Sequence, residues 1–396
     1  MPDDAFRRID ALIQVGLRLA GSAPSGRLLL ARIGDTLDPR WIPRPWGDEL
    51  VAQLEAAGVA TREPLSAERV ERLLREAWGV DPREELDDLE SRPVAVRPGS
   101  QVHRGLLDGE PVAVKVLRPG LAASARQDLA LLDALVAPLA AAFPALDARA
   151  VLGEFRERIL EELDLEHEAS MQRRFHRALR DHPFLLVPAP VMRLAHDDVL
   201  VSEWIDGLPL RDAPDRDEAA ARLVLFVLGA ARDGVIHADP DPNDVLVLPD
   251  GRLAILDFGA TRSVDRGRLE VVCAALDALA EEDAESFGES LARLGVLPVG
   301  HGPLTLDLAV HALGELSGTE PARLDSAAVI AARDRLLGRP AALTDVLTAG
   351  RLPPEDLWPA RGVAQLFGTI ARIGATGVWR ELARSALREG WTAPVG

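Results

Sequence analysis

The stretch GVIHADPDPNDVLVLPDGRLAILDFG, Gly234 to Gly259, decides the fold. It reads as a loop through His237-Ala238-Asp239-Pro240-Asp241-Pro242-Asn243-Asp244, then a β-hairpin whose arms, Val245 to Leu248 and Arg252 to Leu256, turn at Pro249-Asp250-Gly251. An acid, Asp257, stands at the hairpin exit, followed by Phe258 and Gly259. Phosphoryl transfer of the kinase type uses such a set: a carboxylate orients the attacking group, and oxygen ligands on nearby loops hold Mg²⁺ against the phosphates. Asp239 suits the first task, and Asp257 with Asn243 or Asp244 the second. His237 is expected to brace the loop through a hydrogen bond to backbone.

Such a site also needs a cation for the phosphates, reached from a strand and steadied by a helix carboxylate. Upstream, Gln101 to Leu106 and Pro111 to Leu117 read as strands joined by an Asp108-Gly109 hairpin turn. Side chains alternate, so Val112, Val114 and Val116 share one face while Ala113, Lys115 and Leu117 share the other. Lys115 is the candidate cation, and the small Ala113 beside it leaves room for a flat base. A helix expected from Ala150 to about Arg180 carries Glu161, Asp164 and Glu168 on one face, and any of them could meet the lysine.

Composition singles out two of these residues. The 45 basic residues are 44 Arg and one Lys, Lys115, while Tyr is absent and Asn243 is the only Asn. A coding bias that replaces Lys and Asn wherever Arg, Asp or Ser will serve leaves survivors where the chemistry is least substitutable.

With 63 acidic residues against 45 basic, the formal charge is −18, a field that repels nucleic-acid backbones and anionic lipid surfaces. Nucleic acid is set aside as a partner. The single cysteine, Cys273, cannot form an internal disulfide and reads as a buried small apolar residue in a reducing compartment. The start, Met1-Pro2-Asp3-Asp4, lacks a secretory signal, and apolar stretches such as Leu129 to Phe143 fall short of the roughly 20 residues of a spanning helix. A cytoplasmic place without a transmembrane anchor is expected, with peripheral membrane contact as the other option.

Residues 1 to about 90 read as helices, including Glu49 to Ala57 and Ser66 to Trp78, the latter with a serine cap but no acid three residues on. An acidic run from Asp81 to Glu90 ends at Pro93, where the first boundary is placed. After the strand pair come helices over Ala123 to Phe143 and Ala150 to Arg180, then strands over Val187 to Leu194 and Val199 to Ile205. A helix is expected over Asp217 to Asp233, and everything from about 265 onward reads as helical.

Taken in order, Gln101-Val102-His103-Arg104, Val112-Ala113-Val114-Lys115, Arg118-Pro119-Gly120, Glu162-Leu163-Asp164 with Glu168-Ala169, Ser202 to Gly207, His237-Ala238-Asp239-Pro240 and Leu256 to Ala260 resemble the AarF/UbiB-type atypical protein-kinase-like family. Some members of that family support coenzyme Q biosynthesis. The resemblance covers about residues 93 to 265. It implies Lys115 as the phosphate-binding lysine paired with Glu168, Asp239 as the catalytic-loop acid and Asp257 as the main Mg²⁺ ligand. It further implies Glu203, Trp204 and Ile205 as the adenine hinge, and Glu162 and Asp164 as acids close to the nucleotide.

The chain also departs from the family pattern. Relatives read Ala-Asp-Pro-His-Pro-Gly-Asn where this chain has Ala238 to Asp244, so Asp244 holds their Asn position. Arg97 and Pro98 stand in the nucleotide loop where small residues are usual, and Arg32-Ile33-Gly34-Asp35 replaces an N-terminal Lys-x-Gly-Gln signature.

The expectation is therefore an α+β, two-lobed protein-kinase-like fold: a helical extension over 1–92, an N-lobe over 93–206 and a helical C-lobe over 207–396. Its expected function is Mg²⁺-dependent ATP binding with phosphotransfer or hydrolysis, with Asp239, Lys115 and Glu168 as candidate catalytic residues. The acceptor, a small molecule, lipid or protein, is open. The alternative is a pseudokinase scaffold supporting an isoprenoid-lipid, quinone or secondary-metabolite pathway.

Overall fold

A computed structural model gives the protein's structure over residues 2–22, 38–44, 46–56, 63–97 and 99–394. Pro98 and the Arg32-Ile33-Gly34-Asp35 stretch lie outside these described residues. Among the described residues, α1 (Pro2–Ser22), α2 (Trp46–Ala56) and α3 (Ala67–Trp78) come first, followed by a single helical turn at Pro82–Glu85. Ser66 stands at the start of α3 without a side-chain cap bond, and Gly79 ends the helix at φ +73°, a left-handed value that favours glycine.

The N-lobe sheet contains β1 (Asp88–Leu89), β2 (Ala95–Val96), β3 (Ser100–Leu107) and β4 (Glu110–Leu117). β5 (Leu185–Leu186) belongs to a second sheet, and β6 (Val199–Glu203) completes the first, whose order is β1-β3-β4-β6 with β2 also on β3. All its pairings are antiparallel. The β3–β4 hairpin turns at Asp108-Gly109, with φ of 53° and 81°, the paired positive values that match the twist of the strands. Val112, Val114 and Val116 are buried with Val70 and Leu74 of α3 and Val199 and Val201 of β6. Packing therefore runs straight across residue 92, and α3 and β1 share the core of the strands that follow.

Two expected helices are interrupted. Ala123 to Phe143 resolves into α4 (Leu121–Ala130), a 3₁₀ segment Leu131–Leu135 and α5 (Val136–Ala142). Pro138 has no N–H for a continuous ladder and falls in the first turn of the new helix, where none is needed. Ala150 to Arg180 resolves into α6 (Ala148–Glu161) and α7 (Leu165–Ala178). Asp164 makes that break by capping α7, accepting from the backbone N–H of Glu166 and His167 at 3.0 Å each. Nor is Val187 to Leu194 a strand: Pro188 and Pro190 lack donors, leaving one bridge from Pro190 to Ser202 and a 3₁₀ turn at Met192–Leu194.

In the C-lobe, β7 (Leu208–Pro209) precedes α8 (Arg216–Gly229), whose residues from Arg222 to Gly229 are all buried. Four short strands follow, β8 (Val235–His237), β9 (Val245–Val247), β10 (Leu253–Ile255) and β11 (Thr261–Ser263). The second sheet runs β5-β10-β9-β7, while β8 pairs with β11. Phe175 of α7, Phe226 of α8 and Phe258 form the centre of the core, with Phe175 to Phe258 at 5.1 Å and Phe175 to Phe226 at 5.5 Å between rings.

The remainder is α9 (Arg266–Glu281), α10 (Ala284–Arg293), α11 (Gly302–Leu313), α12 (Ser326–Leu337), α13 (Pro340–Ala349), α14 (Leu357–Ile373) and α15 (Trp379–Glu389). It is not wholly helical as expected, because β12 (Ala322–Leu324) pairs with β13 (Ala375–Gly377). Cys273 is buried in the core. The helix α1 lies along α5 and α2, and the Trp46 indole N–H donates to Asp10 at 2.6 Å. No helix among the described residues is long and apolar enough to cross a membrane.

Candidate functional site

Between the lobes lies a cavity of about 130 Å³. Lys115 enters it from β4, on the strand face opposite the valines. Its Nζ donates to both oxygens of Glu168 at 2.8 Å and to Asp257 Oδ2 at 2.7 Å. Glu168 sits in the first turn of α7, so the break at Asp164 sets its direction, while Glu161, on the far side of the break, pairs with Arg158 and Arg262. Of the three acids read on one helix face, only Glu168 meets the lysine.

Electrostatics in this trio follow from burial. Burial opposes the Lys115 charge, but Asp257 and Glu168 outweigh it and lift its pKa above the ordinary lysine value. Burial and the charge of Asp257 push the Glu168 carboxyl up to about 7 against the pull of Lys115. Burial acts the same way on Asp257, yet Lys115 prevails and holds that carboxyl well below the usual range.

Asp257 is held in place from two sides. Phe258 plugs the aromatic core, and His237 Nε2 lies 2.5 Å from the backbone oxygen of Asp257. His237 thus braces the loop as expected, and burial keeps its pKa below the ordinary value. Pairing of β8 with β11 brings Ala238 N–H to the carbonyl of Ala260 at 3.0 Å, so the loop that carries Asp239 starts beside the segment that carries Asp257.

Both oxygens of Asp239 are engaged by α14. Arg361 donates to Oδ2 at 2.7 Å and Gln365 to Oδ1 at 2.8 Å. Arg361 also reaches Glu162 Oε1 at 3.1 Å, where the Trp358 indole N–H donates at 3.3 Å. Sequence reading missed Arg361 and Gln365. A faint signal existed in two large polar residues four apart within the apolar face of a helix, but nothing local names their partners.

The metal candidates separate. Asp244 lines the cavity and accepts from Arg97 at 2.6 Å. Asn243 instead donates to its neighbour Asp241 at 2.7 Å, and it is Asp241 that joins Asp244 and Asp257 in the lining. Burial pushes the Asp244 carboxyl up to about 7 despite Arg97.

Glu162 lines the cavity, but Asp164 is spent on capping α7, and neither Ala113 nor Glu203, Trp204 and Ile205 is among the lining residues. The hinge segment lies next to β4 and is partly committed: Glu203 N–H donates to Ala189 and Trp204 N–H to Pro111, at 2.9 and 3.1 Å. Trp204 lies under Arg104, whose guanidinium carbon is 5.1 Å from the ring centre, and its indole N–H donates to Asp206 at 2.8 Å.

A sheet-based lobe offering a lysine to a helix glutamate, over a helical lobe offering acids from two loops, defines a kinase-like protein of α+β architecture. The ABC1 atypical kinase-like domain matches residues 60–291, and the chain belongs to that family. Among similar proteins, ACTIVITY OF BC1 COMPLEX KINASE 1 of Arabidopsis thaliana chloroplasts is 31% identical over 222 residues, covering 53% of this chain and 33% of that one. An uncharacterized Synechocystis protein, slr0889, is 30% identical over 243 residues, covering 56% of this chain and 60% of its own. The chain thus spans between about one third and three fifths of these curated relatives. Among solved structures, Rv3197 of Mycobacterium tuberculosis in complex with erythromycin superposes with a TM-score of 0.65 at 26% identity, covering 84% of this chain and 85% of that one.

Proposed function

We propose that the protein binds ATP with Mg²⁺ and transfers the terminal phosphoryl group to an acceptor or to water. The observation that carries this reading is Lys115 seated between Glu168 and Asp257 at 2.7 to 2.8 Å. It puts the only lysine of the chain where a compact cation can hold phosphates while a buried carboxylate steadies it. The donor set fits magnesium, a hard ion that takes one or two carboxylates beside phosphate and water oxygens and needs no dedicated cage. Accordingly, the described residues contain no group of three His, Cys, Asp or Glu able to hold a metal alone. Asp257 and Asp244 are the residues that would hold the ion, which supplies charge neutralisation on the phosphates when bound. Asp239 would orient the attacking group.

One observation favours a second reading, a nucleotide-responsive pseudokinase. Asp244 stands where relatives have Asn and is tied to Arg97, so it must leave that pair to reach a metal. Thermal unfolding of the wild type, Lys115→Ala and Asp257→Ala with ATP or ADP, with and without Mg²⁺, tests the proposal. Ligand at about 100 times its Kd adds roughly 2.7 kcal/mol. A Mg²⁺-dependent rise in the wild type that both variants lose, accompanied by phosphate release, supports the enzyme. The same rise without phosphate release leaves the pseudokinase, and no rise under any condition overturns both.

A further inference from the structure

The helix α14 lies beyond residue 291, where the family match ends, yet one of its faces is built against the candidate catalytic loop. Trp358, Arg361, Gly362, Gln365 and Thr369 recur at helical spacing along that face. Trp358 is buried against Ala238 and Ala260. Gly362 lies so close that an added Cβ would stand 2.9 Å from the carbonyl oxygen of His237 and 3.0 Å from Cα of Ala238. Thr369 Oγ1 donates to the carbonyl of Pro240 at 2.8 Å. The backbone of the loop is therefore gripped on both sides of Asp239, as a buttress grips and a lid does not.

Within this grip the Asp239 carboxylate has one donor on each oxygen. A single N–H donor leaves a carboxylate free to turn about that bond, but one guanidinium N–H on one oxygen and an amide on the other define its plane. Arg361 at the same time bonds Glu162, which caps the C-terminus of α6, so the acid of the loop and the acid that ends α6 share one cation. Arg361 is itself steadied over the Trp358 ring, 5.4 Å from its centre.

We propose that α14 forms part of the phosphotransfer site, with Arg361 and Gln365 as positioning residues that clamp the Asp239 carboxylate and tie it to Glu162. The inference rests on the kinase-like reading above for the step it serves, and on the geometry alone for the clamp.

The test uses the full chain as wild type, Arg361→Gln, Arg361→Lys and Gln365→Leu, the last removing one donor without leaving an unpaired charge. First, amide hydrogen exchange is followed over residues 237–244 without nucleotide. Exchange there should accelerate in Arg361→Gln and Gln365→Leu by about tenfold or more beyond any acceleration of β3 and β4, which report the change in global stability. Second, steady-state turnover is measured with MgATP. The turnover number should fall by about ten- to a hundredfold with KM within about threefold, and Arg361→Lys should recover part of the loss. In an Asp239→Asn background, Arg361→Gln should cost little more, because its effect passes through the carboxylate.

Unchanged exchange over 237–244, or equal acceleration everywhere, overturns the clamp. A loss in Arg361→Gln that appears in KM, as expected for Lys115→Ala, would make Arg361 a nucleotide-contacting residue and overturn the positioning role. If the wild type shows no Mg²⁺-dependent nucleotide effect, the kinase-like reading fails, and the exchange result alone decides the clamp.

Discussion

Two cations flank the cavity, and each bridges two carboxylates from separate elements. Lys115 joins Glu168 and Asp257, and Arg361 joins Glu162 and Asp239. The first bridge lies within the part of the chain that matches the family, between a strand, a helix and a hairpin exit. In the second, the cation comes from a helix outside that part. The Lys115 trio is organised around a residue that can hold phosphate. The Arg361 trio is organised around a carboxylate whose direction matters. Under the proposed function, the same electrostatic motif serves binding at one end and orientation at the other.

The sharpest way to break this comparison is to remove each cation. Lys115→Met strands the buried Glu168 and should cost about 3 to 5 kcal/mol of unfolding free energy while abolishing any nucleotide effect. A loss below about 1 kcal/mol in denaturant titration would mean that the trio is not a buried pair at all. Arg361→Gln takes the cation from the buried Glu162, which keeps the Trp358 donor, and should cost about 1 to 3 kcal/mol while leaving the nucleotide-dependent rise in Tm in place. If both variants lose that rise equally, the two bridges do not divide binding from orientation.

A pH series sharpens the first bridge. With the Glu168 pKa lifted from 4.5 to about 7, the folded protein holds a proton that the unfolded chain has released between those values. The contribution of this group is therefore fully present below about pH 4.5 and is lost as pH rises through 7. Glu168→Gln should flatten that part of the stability profile relative to the wild type, measured by denaturant unfolding between pH 4.5 and 7.5. An unchanged difference across the series would place the raised pKa elsewhere.

The smallest effect is expected at the mouth of the cavity. Arg97 and Asp244 are each 28% exposed in their side chains, so Arg97→Ala should change stability by less than about 1 kcal/mol. The same variant should tighten Mg²⁺-dependent nucleotide binding, since Asp244 no longer has to leave a partner. Weaker binding in thermal titration would show instead that Arg97 acts on the phosphates.

Much of this was legible along the chain, and the misses share a cause. The Asp108-Gly109 turn, the valine alternation of β4 and the hairpin leading to Asp257 each depend on a few neighbouring residues, and each was read within a residue or two. The helix over Ala150 to Arg180 was misread because periodicity continues through Glu162-Leu163-Asp164, while a single capping aspartate was enough to restart it. Proline explains two more, splitting α4 from α5 and denying a strand to residues 187–194, while the β12–β13 pair joins segments about fifty residues apart that carry no local strand signal. The hinge residues Glu203 to Ile205 were assigned by family position, and the structure sets them beside β4 and outside the cavity lining.

What the sequence determined by itself was which side of a strand Lys115 takes, where the chain turns, and that an acid followed by an apolar ring stands at the hairpin exit. Those are consequences of backbone alternation, of left-handed turn residues and of apolar burial, all local in range. Only the tertiary structure decided that Glu168 rather than Glu161 meets the lysine, that Asp244 rather than Asn243 faces the cavity, and that a helix more than a hundred residues downstream holds Asp239. Such choices turn on where distant segments come to rest against one another, and a charged side chain carries no local mark of which opposite charge will reach it.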